Sequence, residues 1–198
     1  MIRLYIATNN KHKIFEAQQI LSKYSIVLEP IDVKKIEVQS ESLEDIARYA
    51  ALHAYRIVKK PIIVEDSGLF IDVLNGFPGP YSSYIYKTLG LKRILKLLEG
   101  EYNRRARFIA VVALAINDEE IHLFKGVVEG IIAHEIRGEK GFGFDPIFIP
   151  IEGDGRTFAE MDTLEKNKIS HRGKAFNSLG VWVSANKDKL IYIFCNHI

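Results

Sequence analysis

The chain has little of what several protein classes require. One cysteine, Cys195, stands alone among 198 residues. No intrachain disulfide can therefore form, and the paired spacing of a zinc site is missing. A single cysteine suits a reducing compartment. Neither sign of charge dominates: 27 lysines and arginines against 25 acids give a net charge of +2, whereas a dedicated nucleic-acid binder carries a marked basic excess. The one tight arginine cluster, Arg104, Arg105 and Arg107, reads first as a solvated strand edge and second as a phosphate patch. The longest apolar run, Phe108 to Ile116, is too short to cross a bilayer. Met1 to Ile6 lacks the layout of a signal peptide. The expectation is a cytoplasmic protein with no nucleic-acid or membrane partner. Its length suits a single domain spanning 1–198, with 47% hydrophobic and 26% charged residues typical of a globular chain.

What is present is organised around Ile62-Ile63-Val64-Glu65-Asp66-Ser67-Gly68-Leu69. Three β-branched residues predict a strand buried on both faces, started by Pro61 and stopped by an acidic turn at which Gly68 relaxes the backbone. Adjacent carboxylates at a strand end repel each other and suit a hard divalent cation such as Mg²⁺; a solvated acidic loop is the plain alternative. Upstream, Ile2 to Ala7 read as a strand, Thr8 to Lys13 as a polar loop, and Lys11 to Tyr24 as an amphipathic helix. A helix start with two lysines and two asparagines is a natural anion site. It has no glycine, so it is neither a Walker loop nor a dinucleotide fingerprint.

Further strands are expected at Ile26–Ile31, at Ile36-Glu37-Val38, at Ala106–Ile116 and at Ile121–Ile132, the last bent or bulged at Gly126 and Gly130. Helices are expected from Ser42, a good N-cap, to Val58, from Leu89 to Leu98, and from Ser170 to Ala185. Gly76 to Ser83 reads as a rigid turn, and Leu190 to Cys195 as a last strand or a docked extended segment. In Gly141-Phe142-Gly143-Phe144-Asp145-Pro146 the glycines allow a ligand close to the backbone and an aromatic face can stack on it, with Asp145 held extended before proline. His171 and Arg172 fall in the first turn of the last predicted helix. Cations there oppose the helix dipole, which makes sense if an anion or a base edge lies above them.

Three motifs now stand in order: Thr8-x-Asn10-x-x-Lys13; Glu65-Asp66-Ser67-Gly68-Leu69 with Gly76-Phe77-Pro78-Gly79; and Gly143-Phe144-Asp145-Pro146 followed by Ser170-His171-Arg172-Gly173-Lys174-Ala175. In this arrangement the chain resembles the inosine triphosphate pyrophosphatase family, from Arg3 to about Ala175. The resemblance implies an α/β fold with an elongated, mixed central β-sheet flanked by helices, and two lobes with the active-site cleft between them. It implies a homodimer and a Mg²⁺-dependent cut between the α- and β-phosphates of ITP, dITP or XTP.

Carried over by position, the resemblance implies that Thr8, Asn9, Asn10, Lys11, His12 and Lys13 hold the triphosphate, with Lys13 in direct charge contact. Glu37 and Asp66 would bind the metal, Glu65 would serve as an outer ligand, and Asp66 would also orient or deprotonate the attacking water. Ser67 would contact substrate. Phe142, Gly143, Phe144, Asp145, Lys166, His171 and Arg172 would form the base pocket, with donors from His171 and Arg172 meeting a 6-keto oxygen. Other readings stand beside this one: a nucleotide sensor without chemistry, a Maf-like pyrophosphatase, and a serine hydrolase built on Ser67.

Overall fold

The computed structural model describes residues 2–33, 36 and 38–196, with side chains for all of these except 192–196. Apolar residues alternate in β1 (Ile2–Ala7), which buries Ile2, Leu4 and Ile6. The chain then forms α1 (Lys11–Leu21), a 3₁₀ turn (Ser22–Tyr24) and β2 (Ile26–Ile31), parallel to β1. α2 (Leu43–Val58) returns it to β3 (Ile62–Ile71), parallel to β1 on the other side. Next come β4 (Pro78–Gly79), α3 (Ser82–Thr88), α4 (Gly90–Leu97), β5 (Arg105–Ala115), β6 (Ile121–Ile132) and β7 (Phe148–Pro150). The chain closes with α5 (Thr163–Ile169), α6 (His171–Ala185) and α7 (Lys187–Asn196).

Among the described residues these strands make one seven-stranded mixed sheet, in the order β2-β1-β3-β5-β6-β7, with β4 added to β3. Helices α1 and α6 cover one face, where Ile20, Phe176 and Leu179 meet Ile63, Val112 and Leu114. Helix α2 covers the other, setting Ala47 and Ala51 on Val64, Val111 and Ala113. A third cluster, with Leu69, Ile94, Phe148 and Phe158, fills the end beyond α2.

One detail of register creates the site. β1 pairs with β3 only as far as Ile63, while β3 runs on against β5 to Ile71. β4 takes up the same edge again at Leu69 and Phe70. Val64 to Gly68 therefore have an open edge, outside the carboxyl ends of β1 and β2, where α/β sheets place their ligands.

Several expectations are corrected here. β3 does not stop at an acidic turn; Glu65, Asp66, Ser67 and Gly68 all pair with β5, opposite Val112, Val111, Ala110 and Ile109. Gly68 is in the strand, and its need is space, because a Cβ there would lie 2.3 Å from the Gly79 carbonyl oxygen. Gly126 and Gly130 make no bulge, since the β5–β6 register is continuous through both. They admit neighbours instead: a Cβ at Gly126 would sit 2.0 Å from the His171 carbonyl oxygen. The helix expected at Leu89–Leu98 is present as α4, set off where Gly90 takes a left-handed φ of 70° from a further helix, α3, that the sequence reading does not contain. Leu190–Cys195 is helical, within α7, because Leu190 packs into the core beside Val183. Of the strand expected at Ile36–Val38, Ile36 and Val38 lie in no regular element, and Glu37 is outside the described residues. Arg104 is no solvated edge. It is buried, and its guanidinium donates to the carbonyls of Leu98, Ile132 and Ala133, closing the end of α4 onto β6.

Gly126→Ala is expected to destabilise the protein by about 1–3 kcal/mol, the usual cost of overpacking a filled site, because the methyl group would meet backbone of α6. Urea unfolding of the variant beside the wild type measures this.

Candidate active site

A cleft of about 1260 Å³ opens at the free edge of β3. Thr8, Asn9, Asn10, His12 and Lys13 line it from the first loop and α1, Asp66 and Ser67 from β3, and Phe142, Gly143, Phe144 and Asp145 from the loop before β7. His171 and Arg172 line it from the first turn of α6. These residues are widely separated in sequence, and the structure brings them together as expected. Lys11 is exposed and away from the cleft wall, and Lys166 is buried behind it. Glu37 lies outside the described residues.

The first loop is ordered by its own side chains. Asn10 caps α1, its Oδ1 accepting from the amides of His12 at 3.0 Å and Lys13 at 3.2 Å. Thr8 Oγ1 accepts from the Asn10 amide at 3.2 Å. Two of the amides that a helix start offers an anion are thus already engaged, so side chains carry more of any phosphate contact than the loop-helix pattern suggests. Asn9 donates to Asp32 at the end of β2.

Successive side chains of a strand point to opposite faces. Glu65 and Asp66 therefore diverge. Glu65 faces α1 and α6, where its carboxylate contacts Lys13 Nζ at 2.7 Å and Arg172 Nη2 at 3.0 Å. Asp66 is on the α2 face with Val64. The two adjacent carboxylates thus face different surroundings, and that of Glu65 is held by two cations of the protein.

From Lys13 a line of opposite charges continues inward. Arg172 Nη1 reaches Glu16 Oε2 at 2.7 Å, Glu16 Oε1 reaches Lys166 Nζ at 2.7 Å, and Lys166 Nζ reaches Asp145 Oδ2 at 2.7 Å. Arg172 also donates to Ser67 Oγ at 3.1 Å. The cationic first turn of α6 is thus balanced by carboxylates of the chain itself. Asp145 is in a 3₁₀ turn (Asp145–Ile147) rather than extended, and accepts from the Phe142 amide at 2.8 Å. Lys166 Nζ lies 5.0 Å and Arg172 Cζ 5.3 Å from the Phe142 ring centre, within cation–π range.

Sequence reasoning missed Glu16, although a signal was there. Glu16 shares the buried stripe of α1 with Ala17, Ile20 and Leu21, three residues after Lys13, and a carboxylate on such a stripe calls for a partner. Phe108 was also missed. Its ring stacks on the His171 imidazole with centres 4.6 Å apart and planes at 11°. Nothing in the β5 run marks that residue out from its apolar neighbours. The wall formed by Tyr81, Tyr84, Tyr86 and Lys87 takes Tyr81 from the stretch expected as a rigid turn and the other three from α3, to which the sequence reading assigns no element.

Burial, then the Arg172 and Lys166 cations, hold the His171 imidazole well below its ordinary value of 6.5, so it is neutral. Burial alone would raise the Glu65 carboxyl, but Arg172 and Lys13 outweigh it and keep the group below the ordinary 4.5. Glu16 is lowered in the same way, burial being outweighed by Arg172 and Lys166. At Asp145 burial prevails over Lys166 and raises the carboxyl. Two buried nitrogens in the cleft-lining pair, His171 Nδ1 and Arg172 Nε, have no hydrogen-bond partner among the described residues.

The Ham1 family's sequence model matches residues 4–182. The chain belongs to the Ham1 family. A dITP/XTP pyrophosphatase of Hyperthermus butylicus is 54% identical over 180 residues, covering 91% of this chain and 94% of its own. One from Methanopyrus kandleri is 51% identical over 185 residues, 93% and 98% of the two chains. A HAM1 protein from Coxiella burnetii, 35% identical, superposes with a TM-score of 0.82 over 93% of this chain and all of its own. The mixed sheet flanked by helices is thus a Ham1 fold, and the family resemblance carried by the three motifs is borne out.

The sign of the acid response follows from these shifts. Below pH 6.5 an unfolded chain gains a proton at residue 171 that the folded Ham1 chain refuses, so stability declines as pH falls from there. Glu16 and Glu65 add to the loss only below about 4.5, where the unfolded carboxylates protonate first; Asp145 acts in the opposite sense. The melting temperature is therefore expected to fall between about pH 7 and 5 in the wild type, and to stay nearly level over that interval in His171→Gln. Thermal melts of both across the range check it.

Proposed function

We propose that this Ham1-family chain hydrolyses deaminated purine nucleoside triphosphates, dITP, XTP and ITP, to the monophosphate and pyrophosphate, removing them from the nucleotide pool. Water attacks the α-phosphorus and the bond to the β-phosphate oxygen breaks, with pyrophosphate leaving. The observation that carries the reading is the pair of unpartnered buried nitrogens at the cleft. Arg172 Nε–H can only donate, and suits the 6-keto oxygen of hypoxanthine or xanthine. Neutral His171 Nδ1 can accept from the N1–H beside that oxygen. Adenine presents the reverse pattern, an amino donor and a bare N1, and each mismatched buried group costs about 1–3 kcal/mol. This pair separates 6-keto purines from adenine; guanine shares both features and must be distinguished at its 2-amino group. The names carried by the relatives support the same substrates.

On this reading Phe142 stacks on the base, Lys13 faces the triphosphate from beside Glu65, and Ser67 contacts substrate. Asp66 orients the attacking water and takes its proton. Mg²⁺ is proposed as the cofactor. It binds commonly through one or two carboxylates plus substrate phosphates rather than in an all-protein cage. Asp66 on the cleft wall fits that mode, and among the described residues no group of three or more histidine, cysteine or acidic side chains forms a cage. Glu37 is proposed as the second carboxylate. Bound with substrate, the ion would neutralise charge on the reacting phosphates. We further propose one domain over 1–198, working as a cytoplasmic homodimer. The lone cysteine agrees with a reducing compartment, and among the described residues no helix is long and apolar enough to cross a membrane.

The first test is pyrophosphate release from ITP, dITP, XTP, ATP and GTP, with Mg²⁺ and with EDTA. Metal-dependent release from the deaminated substrates, little from ATP or GTP and none with chelator, is expected; tight ITP binding without release would point to a sensor instead. Asp66→Asn should lower kcat by about 10²–10⁴-fold, the scale of a lost general base, with modest change in nucleotide binding. Arg172→Lys keeps a cation between Glu16 and Glu65 but removes the Nε–H. The ratio of kcat/KM for ITP over ATP is expected to fall by roughly tenfold, one lost donor; an unchanged ratio would remove Arg172 from base recognition.

A further inference from the structure

The sequence pattern groups His12 with the phosphate loop, yet its ring is engaged elsewhere. The imidazole stacks on Phe142, with centres 5.3 Å apart and planes at 24°. Lys166 and Arg172, whose cations lie 5.0 and 5.3 Å from the same ring, are both buried. His12 is exposed, so it is the partner on the open side of Phe142. We propose that His12 is a base-binding residue, the second aromatic face of a sandwich in which the purine slides between it and Phe142. This rests on the purine triphosphate reading above.

The geometry requires little movement. A base between two rings needs their faces about 7 Å apart, twice the roughly 3.4 Å stacking repeat of nucleic acids, so the present pair, with centres 5.3 Å apart, must open by a few ångströms at most. The movable partner is His12. Its backbone is fixed, since its amide is held by Asn10 Oδ1 at 3.0 Å, but the exposed ring can rotate. Phe142 is the fixed partner. Its amide is bound by Asp145, and Gly141, whose φ is 72°, packs so closely that a Cβ there would lie 2.1 Å from Asp145 Oδ2. One rigid and one mobile aromatic wall let the cleft close on a flat ligand of any purine identity, leaving selection to His171 and Arg172. The stacked pair also shields one face of Phe142 from water until a base replaces that contact with two.

The test separates a base role from a phosphate role. His12→Ala, His12→Phe and wild type are compared for steady-state hydrolysis of ITP and for inhibition of that hydrolysis by inorganic tripolyphosphate, which has no base. One lost stacking face should raise KM for ITP by about tenfold in His12→Ala, with most of the change in KM rather than kcat. His12→Phe should restore KM to within about threefold, and the tripolyphosphate inhibition constant should be alike in all three. An unchanged or lower KM in His12→Ala, failure of phenylalanine to rescue, or weaker tripolyphosphate inhibition in the variants would overturn the proposal. Wild type that releases no pyrophosphate from ITP would instead overturn the catalytic reading itself.

Discussion

Three cations and three carboxyl groups share one line through the protein, from Lys13 through Glu65, Arg172, Glu16 and Lys166 to Asp145. Removing such groups from water costs several kcal/mol apiece, and only close alternation with further hydrogen bonds offsets it. Packed apolar side chains would hold the same helices together at least as well. What they would lack is direction. α1 supplies Lys13 and Glu16, β3 supplies Glu65, α5 supplies Lys166 and α6 supplies Arg172, so each contact fixes one element against another at hydrogen-bond tolerance. Both ends of the line reach the cleft: Lys13 on the loop side, and Asp145 where it holds the Phe142 amide. The two ends of the cleft, some 130 residues apart in sequence, are set by one electrostatic structure.

The framework of this fold was legible because periodicity reports it. β1, β2, α2 and β6 fall within a residue or two of where alternation and capping put them, and Ser170 caps α6 through the Gly173 amide as its position suggests. Residue types also flagged most of the cleft, since glycine beside phenylalanine and carboxylates after an apolar strand are poor choices for a plain core. The misses share a cause. Glu65 and Asp66 read as a turn because charge normally ends a strand, and it takes the Lys13 ammonium and the guanidinium of Arg172, 107 positions away, to make Glu65 tolerable inside one. Gly126 and Gly130 read as bulges because sequence shows a missing side chain but not the α6 backbone and Phe148 ring that need the room. The 190–195 segment has enough β-branched and aromatic residues for a strand, and docking of Leu190 on the core decides for helix. In each case a distant contact overrides a local preference.

Glu16 shows the limit most clearly. Its neighbours on α1 mark it as buried, and burial marks it as paired, but nothing local names the partners. They come from α5 and α6, at the other end of the chain. A sequence therefore shows that a buried charge has a debt to satisfy without showing to whom, and the cleft's chemistry depends on the answer. With Glu16 between them, Lys166 stays buried behind Phe142 and the Arg172 guanidinium is held in one orientation at the cleft wall.

The register between β3 and β5 then becomes a functional quantity. Adjacent strand residues face opposite ways, so one step along β3 divides the two acids between two environments. Glu65 goes to the cationic interior under α1 and α6, and Asp66 to the cleft on the α2 side. A slip of one residue would exchange every side chain between faces, putting Asp66 against Arg172 and Glu65 where the cleft carboxylate belongs. The continuous ladder from Ile62 opposite Ala115 to Ile71 opposite Ala106 excludes that slip, since it would also turn Ile63 and Leu69 out of their clusters and Gly68 away from the Gly79 carbonyl. The length of β3 past the end of β1 is thus what both opens the cleft and fixes which acid faces it.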